Sequence, residues 1–305
     1  MSRYLIRRLL WIIPVLFAVT LITFLLMHAV PGGPWDQDKK LPPAVIERLN
    51  AIYGLDRPLY EQYVNWVGGI LQGNLGPSYA FKDRTVNDIV ADGIWTTVHL
   101  GVMAFILSVV IGIPLGIFAA LGHNRAPDYI STAISVLGIA TPSFVLALIL
   151  ILTFSVGLGW LPVAGWKGPE TWVLPTVALS GFPIALIARY TRASMLEVTR
   201  KDYVRTAHSK GVSGRSVVSR HMIRNALIPV VTILGPILAF LVTGSFIIEH
   251  IFAVPGIGRY YLSAITTRDY PLLMAMTVIY AFAVAFLNLV VDVLYAYIDP
   301  RIRYS

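Results

Sequence analysis

The sequence contains no cysteine, which excludes a disulfide framework, a thiolate metal site and a cysteine nucleophile. Charge is nearly as scarce. Only 13% of the 305 residues are Asp, Glu, Lys or Arg, against about 25% in an ordinary soluble domain. No G-x-x-x-x-G-K-[ST] phosphate loop occurs, so the chain carries no site for ATP. His/Glu clusters with metal-ligand spacing and a serine elbow are missing too. The expectation is a non-enzyme, with no metal and no cofactor of its own.

What is abundant is apolar length. The composition is 56% hydrophobic and the mean hydropathy is +0.71. Apolar runs of about twenty residues recur, the length at which a helix crosses hydrocarbon with every backbone bond satisfied internally. Six spans are expected, over roughly Leu9–Val30, Thr97–Leu121, Tyr129–Leu158, Trp172–Tyr190, Ala226–Phe252 and Leu272–Ile298. The first is read as an anchor. Its apolar run is longer than a signal-peptide core, and HAVPGGPW offers no small-residue cleavage site.

The net charge of +8 would suggest nucleic acid in a soluble protein, but here it reads as topology. Fifteen basic residues fall at the two termini and in the even-numbered loops, nine of them between Arg189 and Arg224. The other side has nine, six of which share the long loop 31–95 with eight acids. Basic residues mark the cytoplasmic side, so both termini are expected there. Trp95, Trp160, Trp166 and Trp172 group at the opposite interface, where amphipathic rings prefer to lie.

The chain divides on this reading into an anchor helix (1–30), a small extracytoplasmic cap (31–95) and a five-helix core (96–305) whose basic loop occupies 191–225. The cap is expected to fold, with helical stretches at Pro43–Tyr53 and Leu59–Leu71. The spans of the core are punctuated by Pro114, Pro142, Pro175, Pro183, Pro229 and Pro236. Each proline frees a carbonyl that hydrocarbon does not satisfy, which points either to packing kinks or to a wet path between helices. Charges inside the spans are few. Glu249 and His250 sit near the outer end of the fifth, and Asp292 lies near the cytoplasmic end of the sixth. A charge at mid-bilayer costs about 2.5–3.5 kcal/mol on insertion scales. Glu249 therefore either reaches outer water or serves the path, and Asp292 either pairs with an arginine or does the same. With Pro142 and Ser143 they form the candidate path or gate.

The exception to the oiliness is DYVRTAHSKGVSGRSVVSRHMIRNALIPV, residues 202–230. Topology alone requires fewer positive charges. Tyr203–Lys210 has helical composition, Gly211 suits a left-handed helix exit, and Ser213 to Arg224 can form a second helix running into the fifth span. A short helix joined through a glycine turn to a span is a lever, or else a basic element lying on anionic lipid.

YVRTAHSKG followed by RNALIPVVT resembles the cytoplasmic loop of ABC-importer permeases, whose short helix docks into a groove on an ATPase subunit. The family pattern of Glu-Ala-Ala, three residues, then Gly stands here as Arg205-Thr206-Ala207 and Gly211, the form found in the peptide-transport branch. YGLDRPLYEQYVNW, GNLGPS, TPSF, RYTRASMLEV, VPGIGR, RDYP and VDVLYAYIDPRIRY also resemble that branch, in the family's order and across nearly the whole chain. The cap looks most like oligopeptide permeases, with dipeptide, glutathione and nickel importers as close kin.

The resemblance implies an all-α integral membrane protein of the type I importer permease fold, in a prokaryotic inner membrane. It implies a second permease subunit, two cytoplasmic ATPases holding ATP and Mg, and an extracytoplasmic peptide-binding protein. Tyr203, Arg205, Thr206, Ala207, Lys210, Gly211 and Arg215 would then couple to the ATPases. The cap and the GWLPVAGWKG loop would contact the binding protein. The contrasting expectation is a self-sufficient proton-coupled transporter using Glu249 or Asp292.

Overall fold

The computed structural model describes residues 2–35, 41–81 and 83–298, with side chains described within 6–291. The regular structure of the described residues is helical, and a lone bridge between Pro77 and Thr85 is their only β pairing. Helix α1 is Ser2–Ala29, α2 Pro43–Tyr53, α3 Leu59–Leu71, α4 Val86–Leu121, α5 Ala126–Ala140 and α6 Ser143–Leu150. Then follow α7 Pro169–Thr199, α8 Asp202–Ser209, α9 Gly214–Ser216, α10 Ile223–Val242, α11 Phe246–Ile251, α12 Ile257–Thr266 and α13 Tyr270–Ile298. Five helices are long and apolar enough to cross a membrane, and the bent pair Ala126–Ala140 with Ser143–Gly157 makes a sixth span. Both cap helices lie at the expected positions, each entered through a proline.

The spans differ from the expected ones where local chemistry interrupts or extends them. The third bends by 108° between Ala140 and Ser143. Pro142 brings no N–H, and the residue before a proline is driven out of the helical region, so Thr141 is extended at φ −86°, ψ 117°. The second half of this span then loosens into a π-helix over Ile151–Gly157. The fifth span does not continue to Phe252. It stops at Val242 because Gly244 turns left-handed at φ +88°. Ser245 then starts the separate helix α11 by accepting from the Ile248 amide. Pro114, Pro175, Pro183, Pro229 and Pro236, expected to break spans, lie inside continuous helices instead. Pro142 alone of that set sits at a break.

The chain separates into two compact units, Met1–Thr97 with Pro255–Ser305, and Val98–Val254. In the second unit, close approach needs glycine. A Cβ on Gly101 would collide with the backbone of Leu241, and one on Gly116 would stand 2.5 Å from the Ala188 carbonyl oxygen. Leu100, Ala104, Leu174, Ile187, Val230, Leu241, Ile248 and Phe252 fill the resulting core.

In the first unit α1 packs along α13, and the first turns of α4 bury Val86 and Ile89 against Ile257, Leu272 and Met276. Helix α4 begins well before the expected Thr97 because this amphipathic start is part of that core. The unit is tied together by Asp269, which is fully buried. Its carboxylate accepts from the Ser78 hydroxyl, from the Ala80 amide at 3.1 Å and from the Leu272 amide at 3.2 Å. The last bond makes Asp269 the N-cap of α13 and places its charge at the positive helix end. Next to it Arg268 adopts the left-handed region at φ 53°, and its guanidinium donates to the Pro31 and Gly33 carbonyls.

Replacing Asp269 with Ala leaves the Ala80 and Leu272 amides without acceptors. The variant is expected to lose about 2–4 kcal/mol of stability, measured as a lower unfolding midpoint in detergent. An unchanged midpoint would show that the anchor contributes nothing.

Candidate functional site

The 202–225 segment folds as the lever geometry requires. Helix α8 covers Asp202–Ser209, one residue earlier than expected at each end. Lys210 is the residue that closes it, and Gly211 follows at φ +76°. The turn is held by the Gly211 amide on the His208 carbonyl at 3.0 Å and the Val212 amide on the Ala207 carbonyl at 3.2 Å. No atom lies within 4 Å of a Cβ built on Gly211, so the backbone angle, not crowding, selects glycine there.

One face of α8 is buried and the rest is open. Val204 and Ala207, three residues apart, sink into a cluster with Ala120, Met195, Val198, Val217, Met222 and Ala226. That cluster takes side chains from the ends of α4 and α7 and from the root of α10. The helix beyond Gly211 runs from Gly214 to Val242, with a π turn over Val217–Met222. The wider turn brings Val217 and Met222, five apart, to the same buried side. Val218 and His221, beside them on the same turn, are half-buried.

Tyr203, Arg205, Thr206, Lys210, Gly211 and Arg215 are exposed, so of the seven candidate coupling residues Ala207 alone is a root contact. Arg205 leaves 76% of its side chain open and meets Asp202 only at 3.9 Å. Tyr203 accepts at 3.1 Å from the Asn225 side chain, which bridges α8 to α10. Lys201 pairs with Glu197 at 2.9 Å, and that carboxylate pushes the lysine pKa above its ordinary value. Arg205 on α8, Lys210 at its end, and Arg215, Arg220 and Arg224 on the helix beyond Gly211 are all exposed, so the segment presents basic side chains to its surroundings.

Sequence reasoning missed an anchor beneath this segment. Asp128, in the first turn of α5, is buried and takes a fork of two bonds from Arg192 on α7, at 2.5 and 2.9 Å. The Asn124 amide and His123 Nδ1 complete its shell at 2.9 and 3.1 Å. Arg192 lay within the quoted RYTRASMLEV, but its partner is 64 residues away, so no local spacing announced the pair. The bond fixes α5 to α7 two turns before the chain leaves α7 for the basic segment.

The candidate path residues lie elsewhere in the fold. Pro142 is exposed and Ser143 half-buried at the break of the third span. Glu249 is fully buried on α11, which excludes the expectation that it reaches outer water. Helices α6 and α11 pack together through Ala147, Leu150, Ile248 and Phe252, so the proline break and Glu249 sit on adjoining elements. Asp292 falls on α13, where its side chain lies outside the described residues.

The GWLPVAGWKG loop is pinned by the Gly165 amide on the Phe252 carbonyl at 2.8 Å. Trp166 and Trp172 pack on each other and on His99, while Trp95 and Trp160 are exposed as interfacial rings should be. Among the described residues no group of His, Asp or Glu is placed to hold a metal.

Comparison with known proteins agrees with this architecture. Residues 112–304 match the family model of the binding-protein-dependent transport system inner membrane component. Residues 1–101 match the N-terminal model of the same transport-system membrane components. The dipeptide transport system permease protein DppB of Bacillus subtilis is 42% identical over 303 residues, covering 99% of this chain and 98% of its own. The oligopeptide transport system permease protein OppB of Haemophilus influenzae is 40% identical over the whole of both chains. The glutathione transport system permease protein GsiC of Escherichia coli is 42% identical, again over the whole of both. Among solved structures, the MetNI methionine ABC transporter matches with a TM-score of 0.58 at 18% identity, over 69% of this chain and 96% of that one. An amino acid ABC transporter matches at 0.55 and 16%, over 68% and 93%. At these identities the structural matches establish the fold.

Replacing Asp128 with Asn keeps the shape but leaves the Arg192 guanidinium facing a neutral amide. The loss expected is about 2–4 kcal/mol, somewhat below a fully buried pair because Arg192 is partly exposed. Thermal unfolding of the variant against the parent measures it, and equal midpoints would remove the pair from the account.

Proposed function

This chain belongs to the family of binding-protein-dependent transport system inner membrane components, and from that premise we propose that it is one of two permease subunits of an ATP-driven peptide importer. It is a multi-pass protein of the inner membrane. The observation that carries the peptide reading is the full-length similarity to permeases named for dipeptides, oligopeptides and glutathione. The proton-coupled alternative finds no support, since the matched family is one of binding-protein-dependent systems.

In this reading a second permease completes the path, two ATPase subunits supply ATP hydrolysis with Mg, and an extracytoplasmic binding protein delivers the peptide. The basic segment lies in the cytoplasm and α8 docks on an ATPase. Arg205 and Thr206 make the contact, with Tyr203, Lys210 and Arg215 flanking it. Ala207 roots the helix and Gly211 sets its exit angle. Closure of the ATPases on ATP displaces α8. The hydrophobic cluster beneath it passes the displacement to the ends of α4, α7 and α10, because a packed interior shifts as a body rather than compressing. The spans then alternate between two global arrangements, in the manner of other rigid-element transitions. The break at Pro142–Ser143, with Glu249 and Asp292, belongs to the moving path or its gate.

Two tests follow from the geometry. Scrambling residues 203–211 is expected to abolish copurification of two ATPases and a second permease, which accompany the intact chain on gentle extraction. A chain that emerges alone both times would return the basic segment to a lipid or topology role. Gly211→Val must hold a β-branched residue in the left-handed region, at a local cost of about 1–2 kcal/mol or more. It is expected to lower ATP-dependent peptide uptake about tenfold with membrane insertion intact, whereas Gly211→Asn, which tolerates that region, retains most of it. Equal uptake in the two variants would sink the coupling role of the turn.

A further inference from the structure

The motifs YGLDRP, GNLGPSY and RDYP take no part in coupling, yet within the first unit they meet around a cavity of about 360 Å³. Tyr53 and Arg57 come from the first, Tyr79 from the second and Tyr270 from the third, while Phe24 of α1 and Trp66 of α3 also line it. These walls are preformed. Tyr53 and Tyr79 lie 4.7 Å apart between ring centres, and Phe24 stacks on Trp66 at 6.4 Å. Tyr79 is also fixed from behind, because its neighbours Ser78 and Ala80 both bond the buried Asp269. Burial and that carboxylate push the Tyr79 phenol well above its ordinary range, so it presents a neutral ring. The size is that of a small-ligand site rather than a packing defect.

The polar groups of the cavity point to the class of ligand. Arg57 is exposed and, among the described residues, is the only Lys, Arg, Asp or Glu lining it. Its guanidinium has no ion-pair partner among the described residues. The cavity therefore offers aromatic faces and, among its described lining residues, a single positive charge, and asks for an apolar body with an anionic end.

We propose that this cavity is a peptide-binding site, taking the C-terminal residue of a short peptide with its apolar side chain among the rings and its carboxylate on Arg57. The choice of a peptide over a lipid rests on the importer reading above and on the volume, which suits one or two residues and not a pair of long acyl chains.

The test is equilibrium binding of tritiated Ala-Leu-Phe, as the free acid and as the C-terminal amide. The full chain is used with whatever subunits accompany it, in nanodiscs and without a binding protein. The acid is expected to bind saturably and about tenfold more tightly than the amide. Arg57→Gln should weaken the acid by a similar factor and leave the amide unchanged. Trp66→Phe, which shrinks one aromatic wall, should weaken both by a similar factor. Any of three results overturns the site: equal binding of acid and amide, parent-like binding by Arg57→Gln, or displacement by phosphatidylglycerol but not by unlabelled peptide. ATP-dependent uptake of the same peptide in the assembled system is scored separately. Uptake without cavity binding removes this site and leaves the importer. Cavity binding without uptake supports the site and removes the importer reading.

Discussion

Hydrocarbon offers no partner to a backbone amide or carbonyl, and that constraint shapes every other feature of this chain. The helices nevertheless run through Pro114, Pro175, Pro183, Pro229 and Pro236 without a break, although each proline removes one amide donor from the ladder. Where the helix does stop, the protein supplies replacements. After Thr141 the Val145 and Leu146 amides both turn to the Pro142 carbonyl. After Val242, Ser245 caps the next helix, and the Val254 amide closes on the Glu249 carbonyl. Both breaks lie on elements that adjoin through α6 and α11, the latter carrying the buried Glu249.

Buried carboxylates perform a related task outside the apolar stretches. Asp269 and Asp128 each collect several donors at the start of a helix, one tying the cap loop to α13 and the other tying α5 to α7. A carboxylate removed from water is tolerated when its oxygens are fully engaged and a helix N-terminus or an arginine supplies the positive end. Each pairing joins segments far apart in sequence, so each works as a registration point more than as a source of net stability.

The basic segment follows from the same logic carried to the membrane surface. Its charges face outward, where hydration is free. Val204 and Ala207 attach it to a cluster built from the ends of α4, α7 and α10. A helix so small has no stability of its own. Its position is set by that cluster and by the glycine turn at Gly211.

The sequence by itself determined the class of protein, the existence of all six spans, the cap helices and the boundaries of α8 to within a residue. Apolar length, charge placement and glycine or proline punctuation are local properties, and local structure obeys them. Where several local signals competed, tertiary structure decided. Pro142 breaks its span while Pro183 lies inside a continuous helix, a difference the residue type alone does not reveal. The fifth span ended early at Gly244, whose conformation composition does not reveal. The Asp128–Arg192 pair, the Asp269 anchor and the aromatic cavity are not legible in the sequence, although Arg192, Asp269, Tyr53, Arg57 and Tyr270 stand in quoted motifs. Each joins groups separated by tens to hundreds of positions, and only the packing of the folded chain brings them within bonding distance.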